Sequence, residues 1–286
     1  MEQELYKPRS FQSCLKTAFD TVCSNAKTFI VNTWLPAILN ALVIAAMITL
    51  KGDGITALVV KVVTVIAAVF TNAFFFAKAA NILNSNGIGK NFKRFALINL
   101  IMFPCLIVTA FLLITFLSIT GIDTLWNSMD TLPNSKFRPY NWIFAVLASV
   151  FFASLLPASY SGMDYIYGSA HSLRSIFGKP YIKGLKSWFF LFNVHVLTGS
   201  ICLLLFIPIF ALSFILALII VANDSAMALG DTSGLPSFFN PIYFLAIAAA
   251  AFIASPVCIW AHITIYYAYG TITSRLNNTT PAKNEE

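Results

Sequence analysis

Six long apolar runs, separated by loops whose charge alternates in sign, constrain this chain more than any other feature of its sequence. A helix needs about 20 apolar residues to cross roughly 30 Å of hydrocarbon, and each run is at least that long. Because lipid offers backbone N–H and C=O groups no water to bond, such runs must be helical. We therefore predict an all-α, polytopic integral membrane bundle of six transmembrane helices. The predicted spans are residues 29–50, 55–80, 95–119, 142–167, 188–222 and 242–269.

The composition also indicates that lipid surrounds much of the chain. Apolar residues are 58% of the total and charged residues only 10%, against about 25% charged in a soluble domain. Six spans take up more than half of the 286 residues, so we expect one membrane domain, residues 1–286, without a separate soluble catalytic domain. The net charge of +7 is spread along the loops and does not indicate a nucleic-acid partner.

Basic residues predict the orientation of the spans. Fourteen of the 18 fall before the first span, in or beside the second–third and fourth–fifth connections, or after the last span. Positive loops stay in the cytoplasm, so both termini should be cytoplasmic, with residues 271–286 as a tail. We expect the cytoplasmic (inner) membrane of a bacterium. No cleavable signal peptide is predicted, because the first 28 residues are polar and amphipathic.

Residues 10–27 are predicted to form an amphipathic helix before the first span, with Ser10 as its N-cap. Polar residues occupy one face, and apolar residues recur at helical spacing on the other. A short basic helix beside a membrane is expected to lie in the headgroup plane; the alternative is that it packs on the cytoplasmic ends of the bundle. The apolar face carries Phe11, Leu15, Ala18, Phe19, Val22 and Ala26.

Polar side chains within the spans are the default candidates for function, because apolar spans keep them only where water, a partner or a ligand satisfies them. Because the spans alternate in direction, the position of a residue along its span gives its depth in the membrane. Eight such polar residues lie in the cytoplasmic half of the membrane. We predict that they line a ligand-binding cavity open to the cytoplasm. The alternative is that they reach interfacial water and that the asparagines join helices. The eight are Asn32, Asn72, Lys78, Asn99, Asp164, Asn193, His195 and His262.

Four prolines, Pro36, Pro104, Pro157 and Pro256, lie about a third to half-way into their spans from the cytoplasmic end. Proline kinks free carbonyl groups that need partners, and they let helices splay. Kinks at this height would suit a cavity that opens to the cytoplasm.

Asp164 is the only carboxylate within a predicted span, and Lys78 ends an adjacent hairpin at a similar height. Each charge alone at mid-depth would cost about 3 kcal/mol. An ion pair would relieve this cost; alternatively, each side chain reaches water separately.

Enzyme signatures are missing from the sequence: it contains no HExxH, no GxSxG and no phosphate loop. Three histidines and one intramembrane carboxylate do not supply the acid–base pairs that most hydrolases require. The five cysteines lack metal spacing and fall outside the predicted outer loops, so we expect no metal, no cofactor and no disulfide. The chain is not expected to be an enzyme.

Three local features carry a resemblance to a known group. They are the amphipathic lead-in at 11–27, a basic elbow at Gly178-Lys179 before a long span, and the aromatic end of the last span, Tyr266-Tyr267-Ala-Tyr269. This layout resembles a loose group of small bacterial six-span proteins that includes the membrane domain attached to some glycerophosphodiester phosphodiesterases. The resemblance implies the six-span fold. The phosphodiesterase catalytic domain is not part of this sequence.

Three function classes fit these observations. The first is a small transporter or a lipid- or small-molecule-binding protein, which the polar layer and the proline kinks favour. The alternative is a non-catalytic membrane scaffold or assembly partner, and a membrane-embedded enzyme comes third. The expected partners are the lipid bilayer and, at the basic cytoplasmic loops, anionic lipid head groups.

Overall fold

The computed structural model describes residues 5–50, 52, 54–84, 86–120, 139–168, 172–230 and 233–278. All regular secondary structure in these residues is helical, which confirms the all-α class. The short first helix is α1 (Phe11–Ser24), and four long helices follow: α2 (Ala26–Thr49), α3 (Ile55–Leu83), α4 (Ile88–Thr120) and α5 (Pro139–Tyr167). A 3-10 helix at Leu173–Phe177 and the short α6 (Lys179–Lys186) precede α7 (Trp188–Ala228) and α8 (Phe239–Asn278).

Each predicted span coincides with one long helix. Within the described ranges, four helices, α2, α3, α7 and α8, are long and apolar enough to cross a membrane, which supports a membrane protein by length and composition. The count on this basis is four rather than the six predicted. Helices α4 and α5 do run the whole length of the predicted third and fourth spans, and their crossing remains a prediction.

The helix predicted over residues 10–27 is α1, which begins where the sequence indicates but ends earlier, at Ser24. The Oγ of Ser10 accepts a hydrogen bond of 3.2 Å from the backbone N–H of Ser13, which confirms Ser10 as the N-cap. Asn25 leaves helical geometry, with φ −113° and ψ 18°, and so separates α1 from α2.

The chain divides into two compact units. Unit 1 combines Met1–Ala96 with Phe192–Glu286, and unit 2 is Leu97–Leu191. Unit 1 therefore contains α1, α2, α3, α8 and most of α7, whereas unit 2 contains α5, α6 and the 3-10 helix.

Mostly small residues are buried where α2 packs on its neighbours in unit 1. Helices pack closely in lipid where small side chains let their backbones approach. The buried stripe on α2 repeats every four residues, and a similar stripe on α3 has nearly the same spacing. They comprise Phe29, Thr33, Ala37, Ala41 and Ala45 on α2, and Val69, Ala73, Ala77 and Ala80 on α3. One polar contact joins the pair: the Thr71 hydroxyl donates to Oδ1 of Asn40 at 3.1 Å.

Helices α7 and α8 are longer than a membrane crossing needs. Helix α7 has 41 residues, or about 60 Å at 1.5 Å per residue. Helix α8 has 40 residues and continues to Asn278, past the predicted start of the tail at 271. The N-terminal segment lies along its last turns, where Thr271, Ile272 and Ser274 are buried, and this cover favours the helical state there.

Candidate functional site

Six of the eight predicted site residues belong to unit 1, and His262 is the most enclosed of them. Its imidazole is buried on α8. The ring centroid lies 5.0 Å from that of Phe76 and 5.4 Å from that of Phe95. The two phenylalanines also stack on each other, with their centroids 6.0 Å apart. His262 thus forms part of an aromatic cluster.

Asn32, Asn72 and Lys78 occupy α2 and α3. Asn32 is exposed, and its Nδ2 donates to the Thr28 carbonyl oxygen of its own helix at 2.8 Å. Asn72 is half-buried. The Nζ of Lys78 lies 5.8 Å from the centre of the Phe74 ring, within the range of a cation–π contact. Asn32 therefore bonds within its own helix, as polar residues at helix ends commonly do.

Asn193 and His195 are half-buried on α7. Residues two apart do not share a helix face, so the two side chains lie on different sides of α7. Asn99 and Asp164 are half-buried in unit 2. The predicted ion pair joins Lys78 of unit 1 to Asp164 of unit 2, and it stays a prediction.

An apolar groove of about 470 Å³ lies in unit 1. Its walls come from α1, α7 and α8, and only Lys16 among the lining residues carries a charge. The lining residues are Leu15, Lys16, Phe19 and Val22 on α1, Ile201 and Leu205 on α7, and Pro256, Val257 and Trp260 on α8. We call this cavity the α1 groove.

A hydrogen bond joins two walls of the α1 groove, and two exposed side chains border it. The indole N–H of Trp260 donates to the Leu15 carbonyl oxygen at 3.3 Å, which ties the buried ring of α8 to α1. Phe19 leaves 59% of its side chain exposed at the groove. Lys16 is exposed one turn before Phe19, so a positive charge lies beside the apolar α1 groove.

The N-terminal segment is fastened along the last turns of α8. The Thr21 hydroxyl lies 2.8 Å from the Tyr267 hydroxyl, and the Thr271 hydroxyl donates to the Lys7 carbonyl oxygen at 3.3 Å. The Arg9 guanidinium lies 5.0 Å from the centre of the Tyr267 ring. The buried face of α1 therefore packs on α8, whereas its place relative to the headgroup plane and the cytoplasmic ends of the spans stays a prediction.

Gly270 permits the closest approach between this segment and α8. A Cβ atom at Gly270 would collide with the carbonyl oxygen and side chain of Leu5. One turn away from the Arg9 contact, the Sγ of Cys14 lies 3.6 Å from the Thr271 hydroxyl. Burial raises the pKa of the Cys14 thiol, and the Thr271 hydrogen bond offsets part of that rise.

In unit 2, α6 and the first residue of α7 dock on the proline of α5. Pro157 has no N–H, so the Ala153 carbonyl oxygen one turn earlier has no helical partner. The indole N–H of Trp188 donates to that oxygen at 2.9 Å. The Tyr181 hydroxyl donates to the neighbouring Ser154 carbonyl oxygen at 3.1 Å. The carbonyl oxygen that Pro157 frees therefore has a partner, as expected from the sequence.

Two further described cavities are also apolar. One, of about 160 Å³, lies in unit 2 against the Tyr181 ring, and the other, of about 460 Å³, lies in unit 1 beside Phe70, Phe74 and Phe92. None of the eight predicted polar residues lines any of these three cavities. The α1 groove was not predicted, because its walls come from three segments far apart in the sequence.

Within the part of the chain that the structure describes, no three His, Cys, Asp or Glu side chains are grouped to hold a metal ion. Comparison with protein-family models, with curated proteins and with solved structures finds no match for this chain. The resemblance to the small six-span group therefore stays a prediction.

Proposed function

We propose that this chain is a multi-pass membrane protein that binds a phospholipid in the α1 groove. One observation carries the proposal: a groove of about 470 Å³ with apolar walls and an exposed lysine beside it. Ligand sites are typically clefts of about 300–1,000 Å³, mostly apolar, with few polar groups. Acyl chains match the apolar walls, and the Lys16 ammonium is complementary to a lipid phosphate.

The topology that we propose has six spans and both termini in the cytoplasm of a bacterial inner membrane. Helices α4 and α5 supply the third and fourth spans, because residues 95–119 and 142–167 are apolar throughout their middle. Positive loops on one side and an even number of spans both support this arrangement. In it, α1 and the groove mouth lie at the cytoplasmic leaflet.

Lipid binding fits the geometry better than transport of a polar solute. His262 packs among phenylalanine rings and Asn32 bonds within its own helix. A polar cavity lined by the eight predicted residues stays a prediction. The scaffold alternative also depends on α1. It differs in one expectation: a scaffold would still bind its protein partner when a larger side chain fills the α1 groove.

The test fills the groove with a larger side chain. The Leu205→Trp variant places an indole in the space of the acyl chain, and Leu204→Trp is the matched control, since Leu204 is 69% exposed and does not line the groove. Native mass spectrometry should detect one retained phospholipid in the wild type and in the control, and a several-fold smaller bound fraction in Leu205→Trp. Equal retention in all three proteins would overturn the proposal.

A further inference from the structure

A second surface, in unit 2, combines positive charge with exposed apolar side chains. It is the elbow between α5 and α7, residues 178–187, most of which is α6. Ser187 alone separates α6 from α7, so the chain turns there between two helices.

One face of the elbow is closed against α5. The Tyr181 hydroxyl bonds the Ser154 carbonyl oxygen, and a Cβ atom at Gly184 would lie 2.9 Å from the Pro157 carbonyl oxygen. Contacts this close fix the rotation of α6 about its own axis. The opposite face must therefore point away from α5.

Three lysines occupy that opposite face, and all three are exposed: Lys179, Lys183 and Lys186. Residues three, four and seven apart share one side of a helix, and this side lies opposite Tyr181 and Gly184. The sequence has no carboxylate between Asp164 and Asp224. The segment between these two positions, which includes the elbow, therefore carries basic side chains and no acidic one.

Apolar side chains flank the lysines. Ile182 and Leu185 are each 53% exposed, and Phe177 and Phe189, on either side of α6, are 64% and 73% exposed. Exposed apolar groups beside lysines are typical of helices that lie in the membrane interface, where the lysine stems extend and the ammonium groups reach the phosphates.

We propose that the elbow is a docking surface for anionic phospholipids of the cytoplasmic leaflet. The apolar side chains enter the acyl boundary, and the three lysines bind the phosphate groups. Charge complementarity favours this occupant, because the inner leaflet is negatively charged and attracts juxtamembrane lysines. The inference rests on the proposed six-span orientation, and it does not depend on the α1 groove.

The test measures hydrogen exchange of the backbone amides at 179–187 in the full chain. The protein is placed in nanodiscs of phosphatidylcholine alone, or of phosphatidylcholine with about one third phosphatidylglycerol. Docking should slow local opening of the elbow about fivefold in the anionic discs, and high salt should remove the effect.

Two triple variants with the same charge change separate specific docking from general attraction. Lys179→Gln, Lys183→Gln and Lys186→Gln together should abolish the response to phosphatidylglycerol. Lys27→Gln, Lys90→Gln and Lys93→Gln remove three exposed lysines elsewhere and should leave it intact. Thermal unfolding in phosphatidylcholine discs checks that both variants fold.

Three outcomes would overturn the inference. Wild-type exchange could be equal in the two kinds of disc, or both triple variants could lose the response equally. Slowing by polyglutamate in phosphatidylcholine, without slowing by phosphatidylglycerol, would assign the elbow to an acidic protein partner. Leu205→Trp should keep the elbow response, so failure of the groove proposal and failure of this one are distinguishable.

Discussion

The indole N–H of Trp188 donates a 2.9 Å hydrogen bond to the carbonyl oxygen of Ala153, 35 residues earlier in the chain. That oxygen is available because Pro157 cannot provide the usual helical donor. The start of α7 thus completes the hydrogen bonding of α5. The carbonyl oxygen that Pro157 would otherwise leave without a donor is thus where the elbow attaches to α5.

Trp188→Phe should destabilise the protein, because it leaves the Ala153 carbonyl without a donor. The expected loss is about 1–3 kcal/mol in the free energy of unfolding. Pro157→Ala restores a backbone N–H on α5, so in that background Trp188→Phe should lower the free energy of unfolding much less. A double-mutant cycle of unfolding measures this coupling. Equal costs in both backgrounds would contradict the assigned role of the indole.

Gly184→Ala tests the closeness of the elbow to α5. The new methyl group would lie 2.9 Å from the Pro157 carbonyl oxygen and 3.0 Å from its Cα atom. Overpacking against backbone should lower the free energy of unfolding by about 1–3 kcal/mol. Gly199→Ala, on α7, has open space at the new methyl and should not destabilise. Similar thermal transitions for the two variants would refute the close contact.

The sequence predicted the helices well, because apolar run length is a direct physical requirement of a bilayer. It also located the Ser10 cap and the need for a partner at Pro157. It could not identify Trp188 as that partner, since the contact depends on how the elbow folds back. For the same reason, the α1 groove could not be read from the separate positions of Phe19, Leu205 and Val257.

The end of α8 was the least predictable boundary. Hydropathy falls after Tyr269, so the sequence indicates a tail, yet α8 continues because residues 5–10 cover its last turns. A hydropathy average over neighbouring residues cannot predict this contact, because the covering residues are far away in the sequence. The polar residues posed a related problem: their depth could be read from the runs, but the direction of each side chain could not.

Gly270→Ala should release the N-terminal segment from α8, because the added methyl group collides with Leu5. Trypsin should then cleave after Arg9 several-fold faster than in the wild type, since local opening exposes the bond. Gly87→Ala, where the new methyl meets no neighbour, is the control and should leave the rate unchanged. Unaltered cleavage in Gly270→Ala would argue against tight attachment.

Cys14 should make stability fall at alkaline pH. Burial holds its folded-state pKa above the ordinary value of 9.0, so the folded protein keeps the thiol protonated where the unfolded chain loses the proton. The contribution is fully present below pH 9 and is lost as the pH rises through the folded pKa. Thermal unfolding from pH 8 to pH 10 should show a smaller decline in Cys14→Ala than in the wild type. Parallel declines would exclude this role.

Photo-crosslinking with a phospholipid that carries a diazirine on its acyl chain tests the central claim most directly. The full chain is labelled in nanodiscs, and the crosslinked peptides are identified by mass spectrometry. The lipid-binding account predicts that label concentrates in residues 15–22, 201–205 and 256–260, and that Leu205→Trp removes it there. Label spread evenly over the exposed apolar residues of α7, such as Leu212, Phe214 and Ile215, would contradict a specific site.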